Sequence, residues 1–128
     1  MLSRTKKRRK FKDSFKNCID GLRFININED NFKREIFIGI IALFLSYLLK
    51  INKIEFIIII IVIGLVLVTE IINTAIERLV DLVSPEYNKL AGEVKDIMAF
   101  AVFLMAIVSL IVGIIIFMPK IINLLGGI

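Results

Sequence analysis

The stretch "FIIIIIVIGLVLVTEIINTAIERLVD", Phe56 to Asp81, decides how the chain folds. Its first thirteen residues, Phe56 to Val68, carry no charge, yet Glu70, Asn73, Glu77 and Asp81 follow before the apolar run ends. On a helix each residue turns about 100° from the last, so positions i, i+3, i+7 and i+11 fall within about 60° of one another. The four polar groups therefore share one face, while Ile71, Ile72, Ile76, Leu79, Val80 and Val83 cover the others. The pattern predicts a membrane-length helix with an acidic stripe near one end, and such a stripe needs a partner.

The rest of the composition agrees with a membrane setting. Of 128 residues, 58% are hydrophobic, and they lie in long runs that a soluble domain of this size rarely carries. The chain is too short for two ordinary domains. Eleven of its seventeen Lys and Arg residues lie in the first 34 positions, within a formal net charge of +5. A basic end on an apolar chain points to a cytoplasmic membrane leaflet rather than to nucleic acid. There is one cysteine, Cys18, so no intramolecular disulfide forms. There is no histidine, which excludes imidazole acid–base chemistry and argues against zinc. The basic start "RTKKRRK" has no short apolar core and small-residue cleavage site after it, so it does not read as a signal peptide.

Working outward, residues 1–30 read as one part and residues 31–128 as another. Residues 1–10 are basic and expected to be disordered or to lie on lipid. Residues 11–25 place Phe11, Phe15, Cys18, Ile19 and Leu22 on one face, the pattern of an amphipathic interfacial helix. "NINED" interrupts it, with Asn28, Glu29 and Asp30 suited to a cap and the first turn of the next helix. Three transmembrane helices follow: about 32–49, 54–75 continuing to 83, and 97–118. The first has an uncharged core, Ile36 to Leu49, of only about 21 Å, and the second is about 45 Å long, more than a bilayer core. "KINK" is a short polar turn between them. Ser84, Pro85 and Glu86 look like the start of the third helix, and Pro119 with Lys120 like its close. The positive-inside rule puts the N-terminus in the cytoplasm, the turn at 50–55 outside, the connection at 84–96 inside and the C-terminus outside.

This topology brings Glu29, Glu70, Glu77, Lys95 and Asp96 from three segments to one membrane level, with Glu70 about 10 Å deeper than Glu77. The plainer interpretation is that Glu70 and Asn73 glue helices together. For Glu29 alone it is a surface cap. Two acids, an amide and a third acid on one face are more than packing needs. Facing carboxylates repel unless a cation intervenes, and oxygen-only ligands suit Mg²⁺. No G-x-x-x-x-G-K-[ST] phosphate loop occurs among the seven glycines. Composition and spacing thus reach a membrane-surface carboxylate and metal site.

The motifs go further. "TEIINTAIERLVD" followed by "SPEYNKLAGEVKD" closely resembles the signature of the small prokaryotic diacylglycerol kinase and undecaprenol kinase family, and "SFKNCIDGLRFININEDNFKRE" resembles its N-terminal block. The resemblance covers roughly residues 14–118. It implies an all-α membrane protein: an interfacial helix plus three transmembrane helices per chain, assembled as a homotrimeric bundle. It also implies transfer of the γ-phosphate of MgATP to the hydroxyl of a membrane lipid, without a known kinase fold. By the same resemblance Glu70 is the general base, with Asn73 orienting groups around it, and Glu29 and Glu77 hold Mg²⁺. The nucleotide site takes in Asn17, Glu29, Glu77, Glu86, Tyr87, Asn88, Lys95 and Asp96, with Lys95 neutralising phosphate. Arg23, with Glu70, borders the lipid.

Asn88 departs from the family's usual histidine, Asn17 stands where some relatives carry an aromatic, and Phe100 is bulkier than the usual small residue. Asp81 is expected to anchor the helix end. "SPEY" and the short C-terminal end favour undecaprenol as the lipid, with diacylglycerol the alternative. Two other classes predict different behaviour. A small oligomeric channel or transporter would conduct ions without binding nucleotide, and a structural bundle would lose only assembly on mutation of Glu70.

Overall fold

The computed structural model describes residues 10–127. It is all helix: α1 (Phe11–Asn28), α2 (Asp30–Leu48), α3 (Lys53–Val83) and α4 (Lys89–Gly126). The expectation for residues 1–10 lies outside the described residues, except for Lys10. α3 is the centre of the bundle, packing most extensively on α4 and also on α2, while α1 packs on α2.

Two helices, α3 and α4, are long and apolar enough to cross a membrane. They measure about 46 and 57 Å at 1.5 Å per residue. Few of their apolar residues are buried in the single chain, and Ile57, Ile61, Leu104 and Ile111 are among those left exposed. A helix apolar on all sides but buried on one is built for lipid or for further chains, not for water. α2 falls short of a span by the same measure. Asp30, Lys33, Arg34 and Glu35 charge its first two turns, leaving thirteen uncharged residues from Ile36 to Leu48.

α2 packs on α3 and buries one face of its own. Phe32, Gly39 and Ser46 are buried, at intervals of seven, and Ser46 Oγ donates to Ala42 O at 2.7 Å rather than across the interface. At Gly39 an added Cβ would lie 3.1 Å from Ile63 Cγ2, so the Ile63 side chain of α3 packs directly on the glycine. The turn after α2 uses Lys50 in the left-handed region, φ 49°, to reverse the chain. Asn52 then caps α3: its side chain accepts from the Glu55 N–H, while Glu55 accepts from the Asn52 N–H, both at 2.9 Å.

Three boundaries differ from the sequence expectation. Ser84 does not start the last helix but ends α3. α4 begins at Lys89, because Asn88 Oδ1 accepts from the Leu90 and Ala91 N–H groups and out-competes Ser84 as the cap. Pro119 does not close α4, which continues to Gly126. Membrane helices tolerate proline, and Lys120 Nζ, 3.1 Å from Glu55 Oε2, ties the turn beyond it to the start of α3. Finally, "NINED" is not an open break. The interruption is Glu29 alone, with φ −120° and ψ 105°, and α2 resumes at Asp30.

Candidate active site

The acidic stripe on α3 faces inward. Glu70 is 2% exposed, Asn73 9% and Thr74 5%, in a bundle whose only buried apolar residues among those described are Ile25, Phe32, Ile59 and Ile116. The most deeply buried side chain is therefore a carboxylate. It lies where α3 faces the start of α2. Asn31 stands beside it, and Glu29 and Glu77 are close enough to act on it electrostatically. Asn73 Nδ2 donates to Glu77 Oε1 at 3.4 Å, linking the two turns of the stripe.

α2 contributes a residue that the sequence reading passed over. Glu35 comes near Glu70, and its Oε2 is buried without a hydrogen-bond partner. The signal was present: Phe32, Glu35, Gly39, Ala42 and Ser46 follow the alternating three- and four-residue spacing of one helix face. Glu35 was masked by the exposed charges around it. Glu70 Oε2, Asn73 Oδ1 and Thr74 Oγ1 are likewise buried and unpartnered. Each such atom costs about 1–3 kcal/mol. Such atoms on α2 and α3 have capacity left to bind a ligand, water or a further chain.

Glu29 is not the capping residue that its position suggests, since its side chain makes no cap hydrogen bond. Its Oε1 instead lies 3.6 Å from Arg78 Nη2, and the Arg78 guanidinium sits 5.1 Å from the ring centroid of Phe24. Arg78 was given no role in the sequence reading. From α3 it thus reaches both α1, at Phe24, and the α1–α2 junction, at Glu29.

At the far end of the stripe, Lys95 Nζ donates to Asp81 Oδ1 at 2.6 Å. Asp81 thus anchors the end of α3, and its partner is Lys95 of α4. Asp96 is exposed beside it. Glu86 and Tyr87 lie in the loop between α3 and α4, with Tyr87 95% exposed. Asn88 spends its carbonyl oxygen on the α4 cap, leaving the amide NH₂ free of that duty. Asn17 and Arg23 are exposed on α1, and Arg23 has no ion pair with the cluster among the described residues. The structure therefore brings together Glu29, Glu70, Asn73 and Glu77, with Glu35, Asn31 and Arg78 added, and leaves Asn17, Arg23, Glu86 and Tyr87 on the surface.

The donor set is oxygen alone, which suits a hard cation. Among the described residues no three acids converge into a closed metal cage. Mg²⁺ does not require one, because it binds through one or two carboxylates and completes its shell with water and substrate phosphates. The residues present fit a metal that arrives with a nucleotide.

Comparison with known proteins gives the family. The family model for prokaryotic diacylglycerol kinase matches residues 16–117. The undecaprenol kinase of Bacillus subtilis is 36% identical over 111 residues, 87% of this chain and 90% of that protein. The diacylglycerol kinase of Escherichia coli K12 is 36% identical over 91 residues, 71% of this chain and 75% of that protein. The diacylglycerol kinase of Haemophilus influenzae is 35% identical over 106 residues, covering 82% and 90%. A match that takes in α2, α3 and most of α1, and runs most of the way along α4, leaves one conclusion: the chain belongs to the prokaryotic diacylglycerol kinase family of membrane lipid kinases.

Proposed function

We propose that the protein transfers the γ-phosphoryl group of ATP to the hydroxyl of undecaprenol, giving undecaprenyl phosphate, with Glu70 as general base. The observation that carries this reading is the buried Glu70 carboxylate with its unpartnered Oε2. A lipid alcohol sits at the hydrocarbon edge and cannot rise far into water, so the group that takes its proton must lie below the headgroups. Glu70 lies about 10 Å along α3 from Glu77, which is nearer the polar loop.

Glu70 Oε2 takes the proton from the lipid hydroxyl as that oxygen attacks the γ-phosphorus. The new P–O bond forms as the bond from the γ-phosphorus to the bridging oxygen breaks, and ADP departs. Phosphoryl transfer needs mainly positioning and neutralisation of charge. Glu29 and Glu77 would hold Mg²⁺, which when bound supplies positive charge to the β- and γ-phosphates. Asn73, held by Glu77, orients the groups around Glu70. Lys95, now on Asp81, is the lysine that meets phosphate. Asn17, Glu86, Tyr87, Asn88 and Asp96 border the nucleotide, and Arg23 the lipid. Three chains complete the bundle, and their contacts cover part of the exposed apolar surface. The N-terminus lies in the cytoplasm, α2 crosses the membrane with help from its charged flanks, and the C-terminus lies outside.

Undecaprenol is favoured by "SPEY" at Ser84 to Tyr87 and by the match with the Bacillus subtilis kinase over most of both chains. Diacylglycerol is the second reading, favoured by the Escherichia coli and Haemophilus influenzae relatives. Membership in a kinase family sets the channel and structural-bundle readings aside. The test is phosphate transfer from labelled ATP in mixed micelles, with both lipids offered in parallel, with and without Mg²⁺. Undecaprenyl phosphate as the main product supports the proposal, and phosphatidate as the main product replaces it with the second reading.

A further inference from the structure

The site is short of positive charge. Glu29, Glu35, Glu70 and Glu77 contribute four carboxylates. An incoming nucleotide triphosphate adds several more negative charges. Against these the phosphoryl-transfer reading sets a divalent metal and Lys95, and Lys95 is already shared with Asp81. The charged group best placed to make up the difference is Arg78.

Its placement is specific. Arg78 follows Glu77 on α3, and its Nη2 reaches across to Glu29 Oε1 at 3.6 Å, a distance of electrostatic contact and not of a tight bidentate hydrogen bond. The guanidinium rests over Phe24 of α1, 5.1 Å from the ring centroid. A flat aromatic shelf holds a guanidinium through its face and leaves the edge N–H groups free to donate. The Arg78 side chain is 54% exposed, so its pair with Glu29 adds little to stability. It is therefore poorly explained as a clamp and well placed to exchange partners.

We propose that Arg78 is a nucleotide-phosphate-binding residue, parked on Glu29 in the free enzyme and turned to a phosphate oxygen when the nucleotide is bound. In the free enzyme the guanidinium pairs electrostatically with Glu29. With nucleotide bound, the guanidinium keeps its seat on Phe24 and its fork meets phosphate, the geometry for which arginine is suited and lysine is not. The proposal rests on the ATP-dependent reading above, and the following experiment separates the failure of one from the failure of the other.

Binding of ATP, ADP, AMP and adenosine to the full-length protein in detergent micelles is measured by calorimetry with Mg²⁺ present, for the parent, R78Q and R78K. The expected result is ATP binding weakened at least about tenfold in R78Q, the loss due to one charge-assisted hydrogen bond. ADP should lose less, and adenosine nothing. R78K should recover part of the ATP affinity by restoring the charge without the fork. If R78Q does not fold, R78K alone must still weaken ATP more than adenosine. Equal losses for ATP and adenosine would show that Arg78 only pins α1 to α3, and unchanged ATP binding would remove it from the site; either overturns the proposal. A folded parent that binds no nucleotide overturns the ATP-dependent reading, and this proposal with it.

Discussion

Lys95 Nζ and Asp81 Oδ1 are 2.6 Å apart, joining the start of α4 to the end of α3 across the loop of residues 84–88. Both side chains are well exposed, 40% and 62%, so the pair adds at most about 1 kcal/mol to stability. Under the proposed function, the pair holds an ammonium where a phosphate is to arrive. D81N should therefore leave the thermal midpoint nearly unchanged and raise the KM for ATP several-fold. K95Q should cost about 10²–10³ in kcat, the scale of removing a preorganised group from a transition state. Steady-state kinetics on both variants check this, and equal effects of the two would end the distinction between them.

Glu70 carries two opposite consequences. As general base its loss should cost about 10²–10⁴ in rate. As a buried carboxylate with an unpartnered oxygen and acidic neighbours it destabilises the bundle. E70Q should lose turnover, keep ATP binding and melt at higher temperature than the parent. Near-normal turnover would remove Glu70 from the base role, whatever the melting temperature.

Glu77 is expected to act through the metal. E77Q should weaken nucleotide affinity and the response to Mg²⁺ together, because the carboxylate and the phosphates share one cation. Activity is measured across an Mg²⁺ titration at fixed ATP. A variant whose activity does not rise with added Mg²⁺ beyond the parent's saturating level argues against ligation by Glu77.

How much of this was legible beforehand depended on whether a signal was local. The inward stripe of Glu70, Asn73 and Glu77 follows from helical spacing alone, and α3 runs from Lys53 to Val83 as the apolar pattern required. The start of α4 was missed because Ser84-Pro85 and Asn88 are both good caps, and only the hydrogen bonds of Asn88 Oδ1 to Leu90 and Ala91 decide between them. The end of α4 was missed because a long-range pair, Lys120 with Glu55, holds the turn beyond Pro119. Arg78 is hidden for the same reason, a surface charge until its partner Glu29 is known, whereas Glu35 shares the Phe32–Gly39–Ser46 face but is masked by the charges beside it. Helical periodicity reports which face a residue occupies, not what stands opposite.

The packing of α2 on α3 sets the position of Glu35 against Glu70, and Gly39 lies in that contact. A Cβ there meets Ile63 Cγ2 at 3.1 Å, a contact with the branch of a side chain and not with backbone. G39A should be tolerated, since Ile63 needs to yield only slightly and alanine favours the helix by up to about 1 kcal/mol over glycine. G39L should force the helices apart, at a cost of about 1–3 kcal/mol from overpacking. Because Glu35 lies one turn from Gly39, the displacement reaches the site. Activity in G39L should then fall further than loss of folded protein explains. Thermal melts and activity per folded molecule for the two variants test this. An active G39L with a parent-like melting temperature would show that the close approach at Gly39 does not position the carboxylates.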